Sequence, residues 1–320
     1  IGKSGRKRLF LSHNSVRMSK KIVAFGELIW DVFQEVKKLG GAPANLVFRV
    51  TTLGDEGHLI SRVGVDDAGR EAISRLNSMN VSDRFVQIDP SHLTGNIMVK
   101  VGHEGRPDYH IEPDLAFDHI TLTDEMLRLV QESDCLCFGT LVQRHSVSAN
   151  TLRTLLRESP GTLKYLDLKL RKNWYTTEVI EDSLRVANIL RVKENELYLL
   201  KNELSLFEYE SRSLAEELIN EYDLDIVLVT QSKAGAFTLD KEGRYYEDKG
   251  YVIDLIDTVG SGVAFSAGFL HVYLEENDLE AALQFGNACG ALTAETQGAT
   301  THIPKNQILE LMKSGARREP

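Results

Sequence analysis

Short apolar runs of strand length alternate with segments of helical length along most of this 320-residue chain. Strands that alternate with helices form a mainly parallel sheet with helices on both faces. The chain is therefore predicted to fold as a three-layer α/β/α structure. From residue 120 onward, the predicted helices lie at 122–131, 146–158, 176–186, 194–201, 211–221, 262–275 and 278–293, and the predicted strands at 134–139, 163–168, 188–192, 225–230, 235–239, 244–247 and 251–256.

The first third of the chain departs from this alternation. The segments 94–101 and 109–111 flank a turn that contains glycine and proline, which predicts a β-hairpin. Together with the segment 28–39, this hairpin is expected to form a small sheet that stands off the main body. Residues 20–310 are interpreted as one domain, with the small sheet built from about 28–39 and 94–112.

The charge distribution argues against a nucleic-acid partner. The formal net charge is -10, and the first 21 residues carry only basic charges, so the remainder is more acidic than the whole chain. Such a body repels a phosphate backbone. No apolar run is long enough to span a bilayer. Cys135, Cys137 and Cys289 lack the spacing of a metal site or a disulfide framework, so buried reduced thiols in a cytoplasmic protein are expected.

The first residues of the chain differ in character from the rest. The chain begins with Ile, and Met18 stands just before the first predicted strand at 22–25. Residues 1–17 are therefore interpreted as a tag or an upstream extension and are left out of the fold prediction.

A predicted strand, a glycine turn and a helix start follow one another near the C-terminal end. The apolar run 251–256 leads into a turn with Gly260 and Gly262, and a helical segment follows. Glycines let a ligand approach the backbone, and the first N–H groups of a helix lack partners within it. This layout predicts a phosphate site around Ser261. Val263 stands at its mouth, where a phosphoryl-transfer enzyme needs a proton acceptor.

Two glycine motifs at opposite ends of the chain resemble the signatures of the ribokinase-like, or PfkB, carbohydrate kinases. The early motif reads Gly-Gly-Ala-Pro-Ala-Asn at 40–45, and the late motif reads Asp-Thr-Val-Gly-Ser-Gly-Val-Ala-Phe at 257–265. The early motif and the run Gly-Glu-Leu-Ile-Trp-Asp at 26–31 are most similar to the fructokinase-like branch. The resemblance spans about residues 20–305.

This resemblance implies a ribokinase-like fold, in which one large α/β domain carries a small β lid. It also implies ATP-dependent phosphorylation of a sugar hydroxyl, with a fructose-like substrate favoured. Sugar and ATP are the small-molecule partners that it implies, and Mg²⁺ and K⁺ are the cations. A homodimer formed through the lid is common in the family and is expected here.

The resemblance places a sugar site at the early motif. Asp31, Gly41 and Asn45 would hold sugar hydroxyls, because a carboxylate and an amide together supply acceptors and a donor. The alternatives are a solvated charge for Asp31 and a solvent-facing residue for Asn45. Arg106 and Tyr109 of the lid hairpin would close over the sugar, or are ordinary exposed residues.

The resemblance places the phosphate and nucleotide contacts in the second half of the chain. Arg171 would contact the transferring phosphate, Glu196 would support Mg²⁺, and Asp257 would belong to a monovalent-cation site. Gly260, Ser261, Gly262 and the base position at Val263 would form the catalytic turn. The implied nucleotide contacts are Lys193, Thr230, Ser232, Gly235 and Asn287.

Four positions on the nucleotide and catalytic side depart from the family pattern. Lys169 and Lys193 stand where the family has Asn, Ser232 replaces a Gly, and Val263 replaces the Asp that acts as general base. Loss of a general base typically costs about 10²–10⁴-fold in rate. The two lysines are either partial substitutes for metal charge or solvated side chains.

Two hypotheses about function follow from these departures. The first is an ATP-dependent sugar kinase with weak turnover. The second is a catalytically impaired kinase-fold protein that binds sugar or nucleotide, or serves as an assembly partner. A nucleoside kinase is a third reading, although the motif at 41–45 favours a sugar over a nucleoside.

Overall fold

The computed structural model describes residues 19–33, 36–101, 107–171 and 174–318. Its strands are β1 (Lys21–Phe25), β2 (Ile29–Phe33), β3 (Val36–Gly40), β4 (Glu56–Gly64), β5 (Val86–Asp89), β6 (Gly95–Val101), β7 (Pro107–Ile111), β8 (Cys135–Phe138), β9 (Leu163–Asp167), β10 (Ile189–Lys193), β11 (Ile226–Thr230), β12 (Gly235–Asp240) and β13 (Tyr245–Lys249). Its α-helices are α1 (Ala42–Leu53), α2 (Asp67–Ser78), α3 (Asp124–Gln131), α4 (Ser146–Glu158), α5 (Thr177–Val186), α6 (Glu194–Glu203), α7 (Ser211–Tyr222), α8 (Ser261–Glu276), α9 (Leu279–Ala294) and α10 (Lys305–Ser314).

Nine strands form the central sheet, in the order β13-β12-β11-β10-β9-β8-β1-β4-β5. The strands from β11 to β5 pair in parallel, and β12, near one edge, pairs antiparallel with both β11 and β13. After β1, the chain forms β4 on one side of β1 and later places β8 on its other side, so the strand order reverses at β1. Ligands of such sheets bind at this reversal, outside the carboxyl ends of the strands.

Helices cover both faces of the sheet, which confirms the predicted three-layer α/β/α fold. One buried cluster contains apolar residues of α3 to α7, such as Leu152 and Leu197. The other contains residues of α1, α2 and α8 to α10, such as Val47, Phe269 and Ile308. Each helix therefore packs an apolar stripe against one face of the sheet.

The predicted small sheet is present as four strands in the order β3-β2-β6-β7. β2 pairs antiparallel with β3 and parallel with β6, and β6 pairs antiparallel with β7. We call these four strands the lid. Arg106 lies outside the described residues, and so does the side chain of Tyr109, whose backbone belongs to β7. The segment 1–17 also lies outside them.

The strand predicted at 251–256 is wrong. Only Tyr251 makes an isolated bridge, with Arg317, and Val252 N donates to Ala316 O at 2.8 Å. Ile256 N donates to Ala294 O at 2.9 Å, at the end of α9. The C-terminal tail and α9 thus satisfy backbone groups that a strand would pair in the sheet. The apolar composition misled the prediction, because Val252 and Ile256 are 56% and 64% exposed.

The three cysteines are buried free thiols, as predicted. Cys135 and Cys137 share one face of β8, with their sulfur atoms 3.7 Å apart. Within the part of the chain that the structure describes, no helix has the length and apolar character needed to cross a membrane.

Candidate active site

The residues of the early motif form a tight backbone turn between the lid and α1. A side chain at Gly40 would collide with the carboxylate of Asp31. Gly41 has a φ of +100°, and a side chain there would collide with the carbonyl oxygen of Glu27. Gly41 therefore requires glycine, because its backbone conformation and its contact with a backbone carbonyl exclude a side chain, whereas at Gly40 the close approach of the Asp31 carboxylate leaves no room for one. The turn holds the Asp31 carboxylate beside the N-terminus of α1.

Asp31 is a partly buried carboxylate. Burial raises the pKa of Asp31 to about 6, Arg171 opposes this rise, Glu27 adds to it and Lys38 opposes it. Asp31 is therefore not a freely solvated charge at the end of a strand. It lies within electrostatic reach of Arg171, which follows β9, so the fold brings the predicted sugar side and phosphate side together.

Asn45 lies in the first turn of α1 and is 9% exposed. Its backbone N–H donates to Gly41 O at 3.0 Å, which fixes the helix start. The alternative of a solvent-facing Asn45 is therefore wrong. A buried amide of this kind requires hydrogen-bond partners, and a sugar hydroxyl would supply them.

Glu27 is a buried carboxylate of this region that sequence reasoning did not single out. Its Oε1 accepts a hydrogen bond from Ala42 N at 3.2 Å, which anchors the start of α1. Burial raises the pKa of Glu27, and Lys169 counteracts this rise. Glu27, Pro43, Asp167 and Lys169 line a cavity of about 30 Å³ between the two sides of the cleft. In the sequence, the only signal for Glu27 was a charged residue inside an apolar run.

The late motif forms the N-terminus of α8. Gly260 is the N-cap residue with a φ of +84°, and a side chain there would collide with Ala299. Ser261 N–H and Oγ both donate to Thr258 O, at 3.3 and 2.9 Å. Among the described residues, the N–H groups of Gly262 and Val263 have no backbone acceptor. These two amides and the helix dipole provide a site for an anion.

Val263 occupies the third position of α8. Its side chain is 7% exposed and belongs to the apolar cluster beneath α1, α8 and α9. A valine side chain has no lone pair that could accept a proton. At the position where the resemblance implies a general base, this chain therefore presents an apolar group.

A buried cation, which sequence reasoning also missed, lies beneath this helix start. Arg191 of β10 is 1% exposed, and a side chain at Gly262 would collide with its guanidinium. Nη1 of Arg191 lies 3.1 Å from Asp167 Oδ1, and Nη2 donates to Thr230 Oγ1 at 2.8 Å. In the described part of the chain, its Nε has no hydrogen-bond partner. The guanidinium therefore places a fixed positive charge beneath the first turn of α8.

Lys169 belongs to the same cluster. Its Nζ lies 3.0 Å from Asp167 Oδ2, so the alternative of a solvated Lys169 is wrong. Burial favours the neutral form of Asp167, but Lys169 and Arg191 outweigh it and hold the pKa of Asp167 below its usual value. Asp167 therefore stays ionised and fixes both cations at the carboxyl end of the sheet.

Lys193, at the end of β10, adds a further cation whose side chain is exposed at the rim of the cleft. Partial desolvation lowers the pKa of Lys193, Glu196 counteracts this, and Arg191, Lys169 and Arg171 lower the pKa further. The four cations thus lie close enough to repel one another. Such a concentration of positive charge fits a polyphosphate.

Glu196 is 8% exposed and uses both carboxylate oxygens. Oε1 accepts from Leu170 N at 3.3 Å, and Oε2 accepts from Lys193 N at 3.2 Å. The carboxylate therefore caps α6 and joins it to the segment after β9. Each oxygen keeps a second lone pair, so support of a nucleotide-bound Mg²⁺ is compatible with these contacts.

Asp257 joins the segment before α8 to the lid. Its Oδ1 accepts from Val259 N and its Oδ2 from Gly298 N, both at 3.0 Å. Lys38 Nζ of the lid lies 4.0 Å from Oδ2. A monovalent cation at Asp257 would therefore share this carboxylate with Lys38.

The remaining predicted nucleotide residues lie near the β12–β13 hairpin. Ser232 is exposed with a φ of +53°, a conformation that is uncommon for a residue other than glycine. Gly235 has a φ of +110°, and a side chain there would collide with Asp248 O. Asn287 Nδ2 donates to Asp248 Oδ2 at 2.6 Å and to Lys249 O at 3.0 Å. The Asn287 amide thus connects α9 to the sheet edge, so its donors are already occupied.

Comparisons with known proteins identify the family of this chain. The sequence profile of the pfkB family carbohydrate kinases matches residues 12–306. Probable fructokinase-6, chloroplastic, of Arabidopsis thaliana is 27% identical over 94% of this chain and 84% of its own length. The fructokinase of Escherichia coli is 26% identical over 92% of this chain and 100% of its own length.

Solved structures show the same fold. An uncharacterized sugar kinase from Pyrococcus horikoshii in complex with ATP superimposes with a TM-score of 0.78 at 26% identity, over 92% of this chain and 97% of that one. A fructokinase from Xylella fastidiosa with bound ATP gives a TM-score of 0.80 at 19% identity, over 92% and 98% of the two chains. The chain belongs to the pfkB family of carbohydrate kinases.

Proposed function

We propose that this protein binds ATP and a fructose-like sugar and transfers the terminal phosphoryl group slowly, because residue 263 is a valine. The observation that carries this proposal is the closeness of Asp31, on the sugar side, to Arg171, on the phosphate side. The fructokinases of Arabidopsis and Escherichia coli support the choice of sugar. The ATP complex of the Pyrococcus sugar kinase supports the choice of nucleotide.

In this proposal, the protein contributes mainly positioning and charge. Ionised Asp31 accepts hydrogen bonds from sugar hydroxyls, and the Asn45 amide supplies both a donor and an acceptor. The amides of Gly262 and Val263, together with Arg171, stabilise charge on the transferring group. Phosphoryl transfer depends chiefly on such positioning and electrostatic stabilisation, so some turnover survives the absence of a base. Mg²⁺, bound with the nucleotide and supported by Glu196, would neutralise further phosphate charge.

The second candidate function is a binding or assembly protein without useful turnover. The buried, apolar Val263 favours this second candidate, because a valine side chain cannot take the hydroxyl proton. The exposed Ser232, with its left-handed backbone, is a further departure on the nucleotide side. The two candidates share the sugar and nucleotide contacts, and they differ only in the rate of transfer.

A single-turnover assay separates the two candidates. Enzyme in excess over radiolabelled ATP is incubated with fructose, glucose or ribose, and sugar phosphate is measured over hours. We expect fructose phosphate to form in the wild type and not in Asp31→Asn, which lacks the ionised carboxylate. Formation of no sugar phosphate, together with measurable ATP binding in calorimetry, would support the binding protein and refute the kinase.

Three further properties belong to the same proposal. The buried free thiols suit a reducing compartment, and we place the protein in the cytoplasm. A K⁺ ion is proposed at Asp257, beside Lys38. We also propose that the protein forms a homodimer through the lid. Light scattering of the purified protein tests this dimer by measuring its molar mass.

A further inference from the structure

Three histidines and an aspartate cluster at the base of the lid, away from the cleft residues described above. His92 lies in the segment that leads from β5 into β6, and Asp114 lies just after β7. His119 ends the short 3₁₀ helix at 116–119. His145 is the N-cap of α4. The cluster thus includes one residue from each of the two segments that connect the β6–β7 hairpin to the main body.

The side chains of three of these residues converge. Nε2 of His119 lies 2.6 Å from Asp114 Oδ1, and Nε2 of His92 lies 3.7 Å from the same oxygen. The rings of His92 and His119 stack with centroids 3.6 Å apart. One potential ligand atom from each residue lies within 4.8 Å of the other two. An imidazole binds a metal in the plane of its own ring, so a single ion with bonds of about 2.0–2.2 Å can join the three residues once one of the two rings turns out of the stack.

A second observation concerns the orientation of His92. Its Nδ1 lies 3.1 Å from Oδ1 of Asp89, whose side chain is 1% exposed. A carboxylate beside Nδ1 favours the proton on that atom and leaves the lone pair of Nε2 free to bind a metal. Metal-binding histidines typically have such a carboxylate partner.

The other two rings differ in what they can contribute. His145 Nδ1 accepts a hydrogen bond from Val147 N at 3.4 Å, so the proton of its neutral form lies on Nε2 and His145 is not a ligand. Its ring packs 4.4 Å from that of His119. To bind the metal through Nε2, His119 would give up its hydrogen bond with Asp114, and its ring proton would lie on Nδ1. The side chain of Asp114 is 62% exposed, so it has room to move away from His119.

We propose that His92, Asp114 and His119 bind one Zn²⁺ ion that ties together the two connections of the β6–β7 hairpin. Two imidazoles and one carboxylate suit Zn²⁺, whereas Mg²⁺ prefers oxygen ligands. This site is therefore separate in chemistry from the nucleotide-bound Mg²⁺. Water would fill the fourth position, because Asp114 faces solvent. The ion stabilises the base of the lid against the main body.

Titration of the purified full-length protein with Zn²⁺, in competition with a chromogenic chelator, tests the site. We expect one equivalent of Zn²⁺ per chain, a melting temperature that rises with Zn²⁺ concentration, and slower amide exchange in β6 and β7. Co²⁺ in place of Zn²⁺ is expected to give the intense visible absorption of a four-coordinate site.

Ligand variants locate the ion. His92→Ala and His119→Ala are each expected to weaken Zn²⁺ binding by more than the roughly 10–100-fold that loss of an outer partner costs. His302→Ala, which alters an exposed histidine before α10, is the matched control and is expected to bind as the wild type does. Melting without metal checks that each variant folds. Absence of Zn²⁺ binding in the wild type, or equal binding by the double variant His92→Ala/His119→Ala, would overturn the proposal.

Discussion

The guanidinium of Arg191 packs directly against Gly262, so a buried positive charge lies against the first turn of α8. Asp167 and Thr230 hold Arg191 in this place from the neighbouring strands. The anion site at α8 therefore consists of two free amides above a fixed cation. Only glycine at residue 262 allows the two to approach so closely.

Gly262→Ala is expected to weaken ATP binding about tenfold, because its methyl group displaces Arg191 from the helix start. A tenfold change corresponds to about 1.4 kcal/mol, a modest cost for one displaced charge-assisted contact. Calorimetric titration with ATP measures the effect. Gly161→Ala is the matched control, since a side chain there meets no atom within 4 Å. An unchanged affinity in Gly262→Ala would contradict the role of this contact.

Arg191→Met is expected to lower the free energy of unfolding by about 3 kcal/mol, because it leaves Asp167 buried with only Lys169 as a charged partner. Urea denaturation measures this change. Arg157→Met provides the comparison, since the exposed pair of Arg157 and Glu158 is expected to contribute no more than about 1 kcal/mol. Equal losses in the two variants would show that the buried network has no special role.

Fructose affinity is expected to fall as the pH drops below about 6, because Asp31 then takes up a proton and loses its charge. Calorimetry between pH 5 and 8 measures this dependence. Asp31→Asn is expected to bind weakly at every pH, whereas the exposed Asp254→Asn keeps the wild-type profile. A flat profile in the wild type would argue against sugar binding through Asp31.

The raised pKa of Asp31 also affects folding stability, whose dependence on pH is opposite to that of fructose affinity. Burial raises the pKa of Asp31 in the folded state, so its contribution to stability is greatest below the unfolded pKa and is lost as the pH rises through about 6. Asp31→Asn is therefore expected to unfold at a higher temperature than the wild type at pH 8, and the gain is expected to shrink toward pH 4. A melting temperature lowered at both pH values would contradict this prediction.

ATP without Mg²⁺ is expected to bind within about tenfold of the affinity of ATP with Mg²⁺, because Lys169, Lys193 and Arg191 already supply positive charge. Calorimetry with and without Mg²⁺ tests this directly. Lys193→Met keeps the apolar stem and removes the charge, so it is expected to increase the dependence on Mg²⁺. Strict Mg²⁺ dependence in the wild type would refute the substitution of metal charge by lysine.

The sequence predicted the layers, the lid and most element positions, because apolar periodicity reports which face of an element is buried. It failed at 251–256, where the C-terminal tail and α9 replace a sheet partner for the backbone. That outcome depends on tertiary contacts that local composition does not encode. The helix α10 at Lys305–Ser314 was also missed.

For the same reason, some residues of the site were predicted from the sequence and others were missed. The motifs located the two halves of the cleft through residues that are adjacent in sequence. Arg191 was missed, because it stands in an apolar strand and its partners Asp167 and Thr230 belong to other strands. His92 and Asp114 likewise meet only because both ends of the β6–β7 hairpin return to one place.

In the proposed function, Val263 limits phosphoryl transfer within an otherwise competent cleft. The most direct test compares steady-state turnover of fructose and ATP in the wild type, Val263→Asp and Val263→Asn. We expect Val263→Asp to raise kcat by about 10²–10⁴-fold, while the similarly sized but non-basic Val263→Asn leaves kcat low. Equal turnover in the wild type and Val263→Asp, or an equal gain in Val263→Asn, would contradict it.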